Sequence, residues 1–284
     1  MDHFRDRVAF VTGGGSGIGR GLSMELASRG ARVIVADIDA VSARKTAAAI
    51  RERGGFANDV TLDVTDPGSV RFTVERAAEE FGRLDYMFNN AGIGLNGSFE
   101  DIEPPHWKHI LDVNLYGVIH GSLYAYRVMV RQGFGHIVNI ASLAGLVPMT
   151  GSPYHTAKHG VVGLTLSLRM EAAIKGVRAS VVCPGMVDTP IFDRTIDVSN
   201  QFFAEDIEEF YSRFKFVSPE ECARTILKGV CKNRAIIVVT PLARIMWGLY
   251  RLFPGLFIRI SISQTRKFYE KYARKKTPSG GEAA

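Results

Sequence analysis

Tyr154 and Lys158 stand four residues apart, directly after Ser152 and Pro153, and Ser142 lies twelve residues upstream of the tyrosine. Ser152 and Pro153 suit a helix cap and first turn, and on a helix that spacing puts phenol and ammonium on one face. A free Tyr, with a pKa of about 10, is a poor proton donor or acceptor near neutrality. An adjacent ammonium stabilises the phenolate and lowers that value, each unit corresponding to roughly 1.4 kcal/mol. Ser142 closes the apolar, β-branched run HIVNIAS, as a buried strand ends at a sheet edge. Its hydroxyl could hold the same substrate oxygen, and the three residues together would make a proton-transfer site for an alcohol or carbonyl.

The pair is not diagnostic by itself. Tyr-x-x-x-Lys also occurs at Tyr211 with Lys215 and at Tyr272 with Lys276, and Tyr211 even has Ser199 twelve residues upstream. Context separates the copies: Ser142 ends a buried-type strand, whereas Ser199 follows the polar segment DRTIDV.

The elements that must position these residues begin with RVAFVT at 7–12, which runs into GGGSGIG and then the helical pattern GRGLSMELASRG. In a strand, glycine turn and helix, closely spaced glycines let the backbone approach a pyrophosphate and leave helix N-terminal amides pointing at it. The spacing Gly13, Gly17, Gly19 differs from the general GxGxxG fingerprint. The second strand, ARVIVADID, carries Asp37 about twenty residues further on, where a carboxylate can accept hydrogen bonds from the adenosine ribose and repel a 2′-phosphate. NAD is therefore favoured over NADP. Asp39 reads as the cap of the next helix, and Arg20 beside the turn is the one basic group that argues the other way.

The alternation continues through helix 40–53, strand 56–62, helix 67–82, strand 84–88, helices between 104 and 131, and the strand ending at Ser142. After the Tyr154 helix come strand 177–183, helix 218–231 and a last strand, AIIVV, at 235–239. This pattern predicts an α/β fold: a Rossmann-type, doubly wound parallel sheet of about seven strands with helices on both faces. Ligands on such sheets bind beyond the carboxyl ends of the strands. The glycine turn, Asp37, Asp63, Asn89, Ser142 and Pro184 all fall at such ends.

Six motifs occur in order: TGGGSGIG at 12–19, LDV at 62–64, NNAG at 89–92, VNLYG at 113–117, Ser142 with YHTAK at 154–158, and CPGMVDT at 183–189. In order and spacing the set resembles that of the short-chain dehydrogenase/reductase family over about residues 5–240. The resemblance implies roles residue by residue. Tyr154 is the general acid/base, Lys158 lowers its pKa and binds the nicotinamide ribose, and Ser142 positions the substrate oxygen. Asn114 supports a water linking Lys158 to solvent. Gly13, Ser16, Gly17, Ile18 and Gly19 hold the dinucleotide together with Asp37. Asp63 meets the adenine, Asn90 the adenosine-side ribose region and the sheet, and Thr189 the nicotinamide carboxamide, with Val64, Ala91, Gly92, Pro184, Gly185 and Val187 completing the cofactor-binding set. Hydride passes between the nicotinamide and the carbinol carbon while Tyr154 exchanges the oxygen's proton; no metal is needed. Family members commonly form dimers or tetramers through the helices preceding and containing the active site. The rivals are an NADPH-dependent carbonyl reductase, which Asp37 opposes, and a non-catalytic dinucleotide-binding scaffold, which the complete Asn114, Ser142, Tyr154, Lys158 set opposes.

With 284 residues, 46% hydrophobic and 23% charged, the chain can bury a sizeable core. Cys183, Cys222 and Cys231 have no metal-ligand spacing and read as buried thiols. MDHFRDRVAF lacks a signal peptide's apolar run, which suggests a cytoplasmic protein. His136, His155 and His159 lack acidic partners at ligand spacing and read as surface or capping residues. Residues 232–284 hold eleven Lys or Arg against two Glu, while residues 1–231 hold 24 basic against 27 acidic side chains. The basic character belongs to the tail, so the main body carries no nucleic-acid-binding signature.

The segments expected at the substrate end, IGLNGSF at 93–99, LAGLVPM at 143–149 and residues 186–217 with Phe192, Phe202, Phe203 and Phe210, are mostly apolar. They favour a hydrophobic alcohol or ketone, such as a steroid, retinoid or fatty derivative, over a sugar or a hydroxy acid. Beyond the catalytic domain at 1–240, the extension at 241–284 opens with TPLARIMWGLYRLFPGLFIRI, an apolar helix interrupted at Pro254 and Gly255 and carrying Arg244, Arg251 and Arg259. It is too broken by charge to span a bilayer. Residues 241–276 suit a peripheral membrane contact, with arginines at anionic headgroups, or a cover over the pocket or another subunit.

Overall fold

Seven strands, most of them rich in Val, Ile, Ala and Phe, form one parallel sheet in the computed structural model, which describes residues 3–191, 195–198 and 216–273. The strands are β1 (Val8–Thr12), β2 (Arg32–Asp37), β3 (Phe56–Thr61), β4 (Tyr86–Asn89), β6 (Gly135–Ile140), β7 (Val177–Cys183) and β9 (Ile236–Val238), in the order β3-β2-β1-β4-β6-β7-β9. The chain winds outward from β1 to β3 and then outward from β4 in the other direction. The reversal between β1 and β4 leaves a crevice at their carboxyl ends. A second, two-stranded parallel ribbon joins β5 (Leu95–Asn96) to β8 (Ile196–Asp197); strands of two residues leave no periodic signal in the sequence.

The helices are α1 (Gly17–Ser28), α2 (Ala40–Glu52), α3 (Pro67–Phe81), α4 (Pro104–Leu111), α5 (Gly117–Gln132), α6 (Ser152–Ala173), α7 (Pro219–Cys231), α8 (Pro241–Leu252) and α9 (Pro254–Ala273). Successive strand residues point to opposite faces, and the two cores follow that period. Ala9, Val11, Val33 and Val35 meet Leu22, Leu26, Ile50 and Ile226 of α1, α2 and α7 on one face. Val8, Phe10, Ile34 and Met87 meet Val70, Val74, Val128 and Met129 of α3 and α5 on the other.

Several boundaries have identifiable causes. Asp39 caps α2 as expected, accepting from the amides of Val41 and Ser42. β6 stops two residues before Ser142, because that serine caps a short 3-10 turn, Leu143–Gly145. Ser152 is not the cap of α6: Gly151, at φ 85°, takes that place and no side chain caps the helix. The extension breaks at Pro254 into α8 and α9, and Ala243, Met246 and Trp247 of α8 pack into the cluster formed by Val118, Val161 and Val181.

His136 departs from the sequence expectation. It lies buried in β6 with Nε2 2.8 Å from the Ser180 hydroxyl, and burial, aided by Arg178 and Arg169, pushes its pKa down to about 3. Cys183 and Cys222 are buried thiols whose pKa values burial raises to about 12, and Cys231 is half-buried. The Tyr211 and Lys215 pair, Ser199, Phe192, Phe202, Phe203, Phe210 and Lys276 lie outside the described residues.

Candidate active site

A cavity of about 720 Å³ opens at the carboxyl ends of β1, β4, β6 and β7. The strand ends and the first turn of α6 bring Ser142, Tyr154 and Lys158 to it together. Ser142 Oγ accepts from the Ala144 amide at 3.1 Å, so its own proton is left to donate to a substrate oxygen. One turn inside α6, Lys158 lies buried, with its Nζ donating to the Ile140 carbonyl at 3.1 Å and standing 5.5 Å from the centre of the Tyr154 ring. Burial lowers the Lys158 pKa to about 8, partly opposed by Cys183. The group therefore carries a proton at neutral pH and releases one more readily than an ordinary lysine.

Asn114 sits on a single π-helical turn, Asp112–Tyr116, between α4 and α5. Such turns interrupt the helical ladder and redirect a side chain. Here the fully buried amide grips the backbone of Ile93 from both sides: its Oδ1 accepts from the Ile93 amide at 3.1 Å and its Nδ2 donates to the Ile93 carbonyl at 2.9 Å. It stands behind the cavity wall. A Cβ built on Gly92 would lie 2.7 Å from Asn114 Oδ1 and 3.5 Å from Lys158 Nζ, so the bare α-carbon of this residue keeps open the space between the two polar groups.

The glycine turn lines the same cavity through Gly13, Ser16, Gly17 and Ile18. Helix α1 begins there with no side-chain cap from Ser16 and no acidic residue in its first turn. Its leading amides thus remain for an outside acceptor, and the helix dipole favours an anion at that point. Gly19 packs directly behind: a Cβ there would come within 2.0 Å of the Gly13 carbonyl oxygen and 2.5 Å of Asn90 Nδ2. The turn can fold back this far only over a bare α-carbon. These features fit a dinucleotide diphosphate held by backbone amides.

Asn90, Ala91, Gly92, Pro184, Gly185, Val187 and Thr189 also line the cavity. Asn90 also serves the sheet. Its Nδ2 donates to the carbonyls of Thr12 and Gly13 at 3.0 and 3.2 Å, while Thr12 Oγ1 accepts from the amides of Asn90 and Ala91. This clamp ties the carboxyl end of β1 to the segment that follows β4 at the base of the crevice, and Thr12 was not singled out by sequence.

Asp37, Asp63 and Val64 are not among the residues lining the cavity. Asp37 is buried at the end of β2, where Oδ2 accepts from the Gly15 amide at 2.9 Å and Oδ1 from the Asp39 amide at 3.0 Å. The carboxylate thereby fastens the glycine turn and places negative charge beside it. Asp63 is exposed and closes a local turn by accepting from the Thr65 amide and hydroxyl. Val64 is buried, its carbonyl 3.0 Å from His120 Nδ1. Arg20 is exposed on α1.

At the far end the wall is built from Leu95, Leu143, Met149, Met186 and Ile191, within the apolar segments named from sequence. The structure adds a side that sequence left open: Gln264, Thr265, Lys267, Phe268, Tyr269 and Lys271 of α9 close the cavity.

Comparison with known proteins agrees with this arrangement. Residues 7–198 match the family described as short chain dehydrogenase. A cyclohexanol dehydrogenase of Acinetobacter sp. (strain SE19) is 36% identical over 225 residues, 78% of this chain and 87% of that protein. The Mycobacterium tuberculosis protein named "Probable oxidoreductase EphD" is 35% identical over 260 residues, 89% of this chain but 44% of its own length, so the chain spans less than half of that relative. Among solved structures, a short chain dehydrogenase/reductase from Burkholderia phymatum in complex with NAD superimposes with a TM-score of 0.81 at 27% identity, covering 100% of each chain. With the ordered motifs, the parallel sheet and the strand-end cavity, these matches place the chain in the short-chain dehydrogenase/reductase family of nicotinamide-dependent oxidoreductases.

Proposed function

We propose that this chain is an NAD-dependent dehydrogenase of hydrophobic secondary alcohols, or reductase of the corresponding ketones, with Tyr154 as general acid/base. The convergence of Ser142, Tyr154 and Lys158 with the glycine turn on one largely apolar cavity carries the reading. A bound nicotinamide dinucleotide supplies the hydride acceptor or donor; the chain's own residues handle the oxygen and its proton. Ser142 donates a hydrogen bond to the substrate oxygen and holds it. Tyr154 takes the hydroxyl proton during oxidation and returns it during reduction. The Lys158 ammonium stabilises the phenolate form between those events. Asn114, which holds the backbone of Ile93 beside Gly92, supports a water that links Lys158 to solvent for proton exchange.

The Asp37 charge beside the glycine turn supports NAD over NADP, since a 2′-phosphate there would meet a buried carboxylate. The apolar wall supports a hydrophobic substrate, and the relative that acts on cyclohexanol is consistent with an alicyclic one. The exposed Leu123 of α5, Met170 of α6 and Ile174 just beyond it support a homo-oligomer assembled through these helices. The test measures kcat/KM on matched polar and apolar secondary alcohols with NAD and NADP, for wild type and Asp37→Ala. Apolar substrates and NAD should lead, and Asp37→Ala should erode or reverse the NAD preference. Faster turnover of the polar members overturns the substrate class. Wild-type preference for NADP overturns the cofactor.

A further inference from the structure

Helix α8 divides cleanly by face. Ala243, Met246, Trp247 and Tyr250 pack toward the sheet, whereas Leu242, Ile245, Leu249 and Leu252, at the same three- and four-residue spacing, are exposed on the other side. Leu252 at the end of α8 and Phe253 at the corner are 73% and 56% exposed, and the exposed apolar surface goes on into the first half of α9 through Leu256, Ile258, Ile260 and Ile262, which lie on more than one side of that helix. A contiguous apolar surface of this kind marks a binding site.

Charge selects the occupant. Residues 241–273 contain six Lys or Arg and one acidic residue, Glu270. Arg251 is exposed with its guanidinium 5.3 Å from the centre of the Trp247 ring, and Arg259 and Arg266 are exposed on α9. A second copy of the chain docking on this face would set like charge against like charge. An anionic lipid surface satisfies both features at once: each Lys or Arg near it strengthens binding roughly fivefold, and exposed Leu, Ile and Phe side chains enter the acyl boundary. Among the described residues, no helix is long and apolar enough to cross a membrane. The hairpin is therefore built to lie on a surface.

We propose that the α8–α9 hairpin docks this protein on an anionic membrane surface, with the corner at Leu252, Phe253 and Leu256 entering the lipid. The same helix α9 closes the cavity through residues 264–271, so the element that touches lipid is also a wall of the site. A substrate dissolved in the bilayer is then taken up at that surface. This last consequence rests on the oxidoreductase reading given above; the docking does not.

Full-length protein is floated with vesicles of phosphatidylcholine alone and of phosphatidylcholine with phosphatidylglycerol, at low and physiological salt, beside the double variants Leu252→Asp/Phe253→Asp and Arg251→Glu/Arg259→Glu. The wild type should float with the anionic vesicles at least roughly tenfold better than with the neutral ones. Each double variant should lose roughly tenfold or more of that binding, while light scattering leaves the oligomeric state unchanged. Equal flotation of wild type and the Leu252→Asp/Phe253→Asp variant overturns the proposal, because binding would then come from elsewhere in the chain. No flotation overturns it as well, and a smaller oligomer in that variant assigns the face to a second copy. Turnover of a water-soluble secondary alcohol should be equal in wild type and the apolar-corner variant, whereas turnover of a vesicle-borne alcohol should fall in the variant. Absence of any turnover alongside normal flotation would sink the enzymatic reading and leave the docking intact.

Discussion

Replacing Lys158 with Met should make this protein more stable at neutral pH while removing its activity. Burial lowers the lysine pKa from 10.5 to about 8. At roughly 1.4 kcal/mol per unit, holding the ammonium inside destabilises the fold by about 3 kcal/mol wherever the group is charged in both states. Methionine fills a similar volume without charge but abandons the Ile140 carbonyl, which accepts from Nζ at 3.1 Å; an unpaired buried acceptor costs about 1–2 kcal/mol. The net expectation at pH 7 is a gain of about 1–2 kcal/mol.

The pH dependence separates this account from a simple packing effect. Between pH 8 and 10.5 the unfolded wild type keeps a proton that the folded protein has released, so wild-type stability rises with pH across that window. The Met variant lacks this rise, and by about pH 10.5 it should be the less stable of the two by the lost hydrogen bond alone. Urea unfolding of both proteins at pH 7 and pH 10 gives the comparison, with groups other than Lys158 cancelling in the difference. A variant less stable at pH 7, or two curves rising in parallel, would refute the reasoning. Turnover should fall by roughly 10²–10⁴-fold, the usual contribution of positioned proton transfer.

Tyr154→Phe keeps the ring in its cluster with Leu95 and Trp107 and deletes only the hydroxyl; kcat should fall roughly 10²–10⁴-fold with an unchanged unfolding midpoint, and retention of a tenth of the activity would remove the tyrosine from its role. Gly19→Ala places a Cβ within 2.0 Å of the Gly13 carbonyl oxygen; it should destabilise by about 1–3 kcal/mol and abolish dinucleotide binding measured by Trp fluorescence, whereas Gly248→Ala, whose new methyl meets nothing within 4 Å beyond its chain neighbours and its own helix backbone, should stabilise α8 by about 0.5–1 kcal/mol. His136 stays neutral in the fold because burial takes its pKa from 6.5 to about 3. Stability should therefore fall at about 1.4 kcal/mol per unit as pH drops below 6.5, and His136→Gln should flatten that slope in acid unfolding curves.

The sheet was readable because most of its strands are apolar runs bounded by turn chemistry, the edge strand β3 (FANDVT) being the exception, and because glycine turn, Ser142 and Tyr154 fall at boundaries fixed by local pattern. The residues that escaped reading depend on contacts between distant segments. Asp37 marks the end of β2 in any reading, yet only the fold shows both its oxygens engaged by the Gly15 and Asp39 amides. Thr12 looks like one more β-branched strand residue until β4 arrives beside it with Asn90. His136 looked like a surface group because nothing near it in sequence explains its burial; its partner, Ser180, is on the neighbouring strand 44 residues away. The role of α9 was open for another reason: several residues it brings to the cavity, Gln264, Lys267 and Lys271, are of types that read as solvent-facing in a sequence.

The site separates proton chemistry from substrate fit. Lys158 is held by the carbonyl of Ile140, Asn114 by the backbone of Ile93, and the residue after Ser142 is fastened through its amide to the Pro184 carbonyl at 2.7 Å. These anchors are main-chain atoms at or just beyond the ends of β4, β6 and β7, and side-chain substitution on the cavity wall leaves them in place. The far wall, by contrast, is made by side chains such as Met149, Met186 and Phe268, from two loops and the last helix. Met149→Ala or Phe268→Ala should therefore change KM and the ranking of substrates far more than the rate constant of the proton-transfer step on a small alcohol. The Lys158 anchor imposes an electrostatic cost on the fold that no change to the far wall removes. Selectivity in this chain can thus be altered at the wall without rebuilding the strand ends that hold Ser142, Tyr154 and Lys158.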